Sequence, residues 1–431
     1  MKRVFLLGII ICGTTLLQAQ VSGVNDNLRH IVSVLTSDSL GGRAAGTRFE
    51  SRTASYLMRE LEKSGAVVLF PGTGQDFSFI QPKGDTLYSR NVLAMVEGTD
   101  SILKHEYIIV AAHYDHLGNY KMKVNGKDSL VIYRGADDNA SGVACLLQIA
   151  GMVSQNSYMF KRSVIFAAFG AEEQGMTGSW YFANRAFGEI SKVDYVVNLD
   201  MVGRSGGNNI LRAYTVVPDI ELNDIFALLG ERTMRILPKV VASDYFPSDH
   251  QPFVSKGIPV TLFTTGLHSD YHTLQDTPDK LDYNQMEAIC EYIFDLVRSV
   301  SDRHSMLRRG VLSKNGESDP AKRVYGLTEV EKMPSFVNGN EKKFLDEWVY
   351  KYIKYPEEAI SKGLQGRALV QFVIEKDGSV TNVEIVESAG QILDDEAVKV
   401  VKASPKWKPA RLNGQPVRAR VTVPVEFRLR R

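Results

Sequence analysis

Cysteine is scarce, with three in 431 residues. Cys12 falls in a leader-like N-terminal stretch, which leaves Cys145 and Cys290. Both sit in apolar, helix-like runs, so two buried free thiols are expected rather than a disulfide. So few cysteines exclude a small disulfide-stapled scaffold and call for a large hydrophobic core, which a 44% hydrophobic composition can supply. Neither sign of charge is in excess: 51 Lys+Arg stand against 50 Asp+Glu, or 49 against 50 once Lys2 and Arg3 leave with the leader. That balance gives no general drive toward nucleic acid or an anionic membrane. Low-complexity tracts and long repeats are also missing, and no transmembrane segment is expected after the leader.

The first twenty residues, "MKRVFLLGIIICGTTLLQAQ", have a basic start, an apolar middle and a small-residue end. They read as a secretory signal peptide cleaved near Ala19 or Gln20. The expectation is an exported protein, periplasmic, outer-membrane associated or secreted. The rest divides into residues 21–305, a polar, aperiodic linker at 306–322, and a second unit at 323–431. Within 25–65 two helical stretches flank the glycine-rich "TSDSLGGRAAGT". From residue 91, "EYIIVAA", "SVIFAAF", "DYVVNLD" and "IPVTLF" are short β-branched apolar runs, read as strands buried on both faces. Helical runs separate them, which predicts an α/β unit: a mixed, mostly parallel sheet flanked by helices. The second unit reads as a small α+β domain. "GRALVQFVIEKDGSVTNVEIVES" forms a hairpin around Asp377-Gly378, followed by the amphipathic helix "LDDEAVKVVKAS" and the strand "ARVTVPVEFRLR".

Each strand of the first unit leads into acids or imidazoles. "HYDHLG" holds His113, Asp115 and His116; "GADDNASG" holds Asp137 and Asp138; "GAEEQG" holds Glu172 and Glu173. "DYVVNLD" ends at Asp200, and "HSDYHTLQDT" carries His268 and His272. Sites in open α/β sheets lie at the carboxyl ends of the strands, so these groups should converge. Nitrogen and carboxylate oxygen together suit a divalent metal, most naturally zinc. A carboxylate can bridge two ions, and Asp138 is the candidate bridge; on this reading the paired acids of "GADDNASG" face dications. Either acid alone would also serve as a cap for the following helix. The Glu172-Glu173 pair can divide its work between binding metal and taking a proton from water. His116, His250 and His268 have no assigned partner, and His116 is read as structural. "NYKMKVNGKDSLVIYR" reads as a pocket rim or a plain surface loop.

In order and context, "HYDH", "GADDNASG", "AEEQG", "NLDMVG", "SDH" and "YHTLQDT" resemble the M28 family of zinc aminopeptidases, over roughly residues 25–300. The resemblance implies a two-zinc exopeptidase acting on peptides. His113 and Asp200 would hold one zinc, Glu173 and His272 the other, and Asp138 would bridge them. Glu172 would be the general base, Asp115 would hold His113 from behind, and Tyr245 would stabilise the oxyanion; Asp249 would lie nearby. Alternatives are a glutaminyl cyclase, which shares the fold with a single zinc, and a carboxypeptidase or dipeptidase of the same type. Residues 323–431, through "YPEEAISKGLQGRALVQFVIEKDGSV", "LDDEAVKVV" and "PKWKPARLNGQPV", resemble the C-terminal domain of TonB. That resemblance implies a sheet edge able to accept a strand from a protein partner, the alternative being an appendage for stability or oligomerisation.

Overall fold

A computed structural model describes residues 23–80, 84–124, 127–215, 220–232, 235–242, 247–307, 324–325, 327, 330–337, 339, 341–412 and 414–429. The leader, Tyr245 and nearly all of the linker lie outside the described residues. The chain forms two compact units, Met1–Leu312 and Ser313–Arg431.

The strands of the first unit are β1 (Val67–Val68), β2 (Gln75–Ile80), β3 (Thr86–Val96), β4 (Tyr107–His113), β5 (Asn119–Val124), β6 (Lys127–Ile132), β7 (Ser163–Phe169), β8 (Val193–Leu199), β9 (Ile210–Thr215), β10 (Leu237–Ala242) and β11 (Val260–Thr264). Nine of them form one sheet in the order β1-β3-β7-β4-β8-β11-β9-β10, with β2 on β3. The central strands β7, β4, β8 and β11 are mutually parallel. Antiparallel pairings flank them, β3 with β7 on one side and β9 with β11 on the other. Every residue of β7, β8 and β11 is buried. Their continuous apolar sequence follows from having both faces covered.

Strand alternation divides the core between the two faces. Ile108, Val110, Ala112, Val164, Phe166 and Ala168 pack with the helices at 23–35, Arg48–Lys63, Gly142–Gln155 and Tyr283–Ser301. Ile109, Ala111, Ile165, Ala167 and Phe169 pack on the opposite face against Phe182 and Phe253. Cys145 and Cys290 are buried free thiols, as expected. No helix among the described residues is long and apolar enough to cross a membrane. The stretch after "HYDHLG" is not an irregular loop: β5 and β6 pair antiparallel as a separate hairpin. Asn125-Gly126 between them was the sequence signal for it.

In the second unit, Gly366–Ile374 pairs antiparallel with Val380–Glu387 and with the long strand Gln415–Phe427. The helix Gln391–Lys402 covers the sheet with Leu393, Ala397, Val400 and Val401. Phe336, Phe344 and Phe372 gather around the ring of Trp407. This is the hairpin, helix and final strand expected from the sequence.

Candidate metal centre

The four central strands end side by side, and the segments following them carry the chemistry. Strand β4 ends at His113; Glu172 and Glu173 follow β7, Asp200 follows β8, and His272 lies beyond β11. Four non-glycine residues in these segments take left-handed backbone conformations: Ala171 at φ 58°, Met176 at φ 57°, Met201 at φ 57° and His272 itself at φ 54°. Strained backbone of this kind persists only where its surroundings over-determine it.

Among the described residues, two groups of ligand-type atoms result. One comprises His113, Asp138 and Asp200; the other comprises His116, Asp138, Glu173 and His272, and within each group the atoms lie within 4.8 Å of one another. His113 Nε2 is 3.3 Å from Asp138 Oδ1 and 3.5 Å from Asp200 Oδ1. On the other side His272 Nε2 is 2.9 Å from Asp138 Oδ2 and 3.2 Å from Glu173 Oε1. All five residues expected as metal ligands are therefore brought together.

Asp115 differs in detail from expectation. Its carboxylate reaches only 3.8 Å from His113 Nδ1, whereas its backbone carbonyl lies 3.2 Å from that atom. A proton on Nδ1 then leaves Nε2 as a lone-pair donor toward the acids. The Asp115 carboxylate instead accepts the backbone N–H groups of Glu172 at 3.0 Å and Glu173 at 3.3 Å. It orients the glutamate pair more than the imidazole.

The two acids of "GADDNASG" also part company. Asp138 points into the cluster. Asp137 does not: it accepts the N–H of Gly203 at 2.7 Å and lies 3.1 Å from His268 Nε2. The backbone between them kinks, with Asp138 at φ −106°, ψ 92°. Neither acid caps the following helix; Asn139 Oδ1 accepts the N–H of Gly142 at 3.0 Å. His116, read from the sequence as structural, lies against the cluster: its Nδ1 is 3.0 Å from Glu173 Oε1 and 3.6 Å from Asp138 Oδ2.

Several supports escaped sequence reasoning. Asp276 accepts the N–H groups of Asp137 and Asp138, each at 3.0 Å. Ser248 donates to Asp200 Oδ2 at 2.6 Å and accepts from Asn198 at 2.7 Å. The buried Arg43 guanidinium donates to the carbonyls of Leu35, Tyr114, Arg134 and Gly135, tying the "GGRAAGT" turn to two ligand loops. The quoted motifs contained Asp276, Ser248 and Arg43, but their partners lie far away in sequence. Gly135 shows why small residues recur here: at φ 55°, an added Cβ would sit 2.2 Å from Asp138 O and 2.4 Å from the His116 ring.

The charges are one-sided. Burial pushes the Glu172 carboxyl well above its usual range, and Asp249, Glu173 and Asp200 add repulsion that His113 only partly offsets. Burial raises Asp115 as well, again only partly offset by His113. Burial likewise lifts Asp249 to about 7, with Asp200 adding to the rise. Burial and Asp138 work to raise Glu173, but His272 and His116 outweigh them and hold it at about 2. Burial alone would lower His272; Glu173 and Asp138 carry it up to about 10. Asp138 Oδ2 is buried and accepts no well-formed hydrogen bond from the described residues, despite its nearness to His272. Buried acids in this number, with imidazoles among them, have the composition and geometry of a cation site.

The fold and the clustered donors define an α/β domain with a candidate metal centre at the carboxyl ends of its central strands. Residues 91–297 match the model of peptidase family M28, and residues 351–429 match that of the Gram-negative bacterial TonB protein C-terminal. The chain thus joins an M28-family peptidase domain to a domain of the TonB C-terminal type. It is 28% identical over 243 residues to leupeptin-inactivating enzyme 1 of Streptomyces exfoliatus, covering 56% of this chain and 48% of that one. It spans less than half the length of several further curated relatives. A zinc aminopeptidase from Bacillus subtilis superposes with a TM-score of 0.54 at 16% identity, covering 65% of this chain and 96% of that one. The glutaminyl cyclase of Tannerella forsythia superposes at 0.52 with 20% identity, covering 64% and 98%. At these identities the structural likenesses establish the fold.

Proposed function

We propose that the first unit is an aminopeptidase of an exported protein, removing N-terminal residues from peptides with two zinc ions and Glu172 as general base. One observation carries the reading: the two oxygens of Asp138 face different clusters, Oδ1 toward His113 and Oδ2 toward His272. That is the arrangement a carboxylate needs to bridge two ions. His113, Asp138 and Asp200 would hold one zinc, and Asp138, Glu173 and His272 the other. Zinc there would supply Lewis-acid polarisation of the scissile carbonyl and lower the pKa of water. Glu172, oriented through its backbone by Asp115, takes the proton from the attacking water and returns it to the leaving amine. The acid-rich pocket favours a free α-amine, which directs the enzyme to peptide N-termini. Tyr245 keeps its proposed oxyanion role on the family resemblance, and export rests on the leader sequence. In the second unit, Val380–Glu387 ends the strand order, an edge suited to strand addition from a partner protein.

The test is a panel of aminoacyl chromogenic substrates, N-blocked counterparts and a peptide with N-terminal glutamine. Hydrolysis of unblocked substrates alone is expected. Cyclisation of the glutamine peptide without hydrolysis would replace this reading with a cyclase, and cleavage of the N-blocked substrates would make it another kind of peptidase.

A further inference from the structure

His116 has no place in the ligand set that the family resemblance implies, yet its geometry is that of a ligand. In tetrahedral zinc sites with metal–ligand distances of about 2.0–2.1 Å, ligand atoms stand about 3.3–3.4 Å apart. His116 Nδ1 is 3.0 Å from Glu173 Oε1 and 3.6 Å from Asp138 Oδ2. His272 Nε2 is 3.2 Å and 2.9 Å from the same two oxygens. These four edges straddle the size of a zinc tetrahedron, and His116 stands at its fourth corner. The imidazole is fully buried, and its ring meets that of His272 edge-on at 5.7 Å. Its Cδ2 lies against Gly135, in space that a side chain would fill. The ring is thus held facing the carboxylates. By contrast, the His113, Asp138 and Asp200 group has three corners among the described residues.

We infer that His116 binds, through Nδ1, the same ion as Asp138, Glu173 and His272. The two metal positions are then unequal. One is closed by four protein ligands, the pattern of tightly held structural zinc; the other has three and keeps a corner open for water or substrate. This inference rests on the metallopeptidase reading of the site and refines it. The competing arrangement has His116 donating Nδ1–H to Glu173 from outside the coordination shell, as supporting groups commonly do.

Nitrogen identity separates the two. His113 and His272 face the acids through Nε2, whereas His116 does so through Nδ1. In nitrogen-detected NMR of the full chain with isotope-labelled histidine, zinc loading should yield zinc-bound signals from two Nε2 atoms and one Nδ1 atom. The Nδ1 signal should vanish in His116→Gln. In that variant the tighter zinc should also weaken by more than the about 10–100-fold that loss of an outer supporting group costs. Two zinc-bound Nε2 signals with a protonated His116 Nδ1 in the wild type would overturn the inference and leave the metallopeptidase reading standing. Failure of the wild type to bind zinc would remove both. The wild-type spectrum decides the matter even if the variant folds poorly.

Discussion

Replacing Asp276 by alanine tests how the bridging acid is held. Asp276 is fully buried, and its carboxylate accepts the N–H groups of Asp137 and Asp138 at 3.0 Å each. Alanine would leave two buried amides without partners, at about 1–3 kcal/mol each, for a gross cost of about 2–6 kcal/mol. Part of that is offset, because burial and the neighbouring Asp137 make the charge itself costly and raise its pKa. A net loss of about 2–4 kcal/mol is expected. Asparagine keeps one acceptor oxygen and should lose about half as much. Because Asp138 serves both ligand groups, zinc affinity should also fall by about 10–100-fold in the alanine variant. The assays are urea unfolding, zinc titration against a competing chelator, and hydrogen exchange across residues 135–142. An alanine variant within about 0.5 kcal/mol of the wild type, with unchanged exchange and zinc affinity, would refute the reasoning.

Three further outcomes are expected. Glu172→Gln should keep its zinc, measured by metal analysis, while kcat on an unblocked aminoacyl substrate falls by about 10²–10⁴. Burial lifts Glu50 from 4.5 to about 7 despite its bonds to Ser89, Gly46 and Tyr114. The folded chain therefore binds more protons than the unfolded chain between those values, and stability should fall by about 3 kcal/mol as pH rises across that window. Glu50→Gln should flatten that slope in urea unfolding measured as a function of pH. Phe372→Ala should destabilise the second unit by about 3–5 kcal/mol, since its buried ring packs on Trp407 and Phe344; differential scanning calorimetry of the full chain reads the loss.

Much of this site was legible because its chemistry is tied to strand ends. A β-branched apolar run followed at once by His113, Glu172-Glu173 or Asp200 fixes both the element and the end at which the ligand emerges. What could not be read depends on backbone direction and on distant partners. Adjacent acids look equivalent as letters, yet the kink at Asp138 turns one into the cluster and leaves the other on Gly203 and His268. Asp276 grips amides 138 and 139 positions away, and Ser248 reaches Asp200 across 48 positions. No local pattern announces either contact. His116 looked spare for the same reason, because its value depends on Glu173, 57 residues later. The hairpin at 119–132 was a different miss, since Asn125-Gly126 marked it in the sequence.

The most direct test of the central claim is to count zinc per chain in the wild type and in Asp138→Asn, and to assay hydrolysis of unblocked aminoacyl substrates on the same samples. If Asp138 bridges two ions, the wild type binds two zinc and hydrolyses the substrates, while the variant keeps at most one zinc and loses hydrolysis. A variant that holds both ions, or that cleaves as fast as the wild type, would contradict the account.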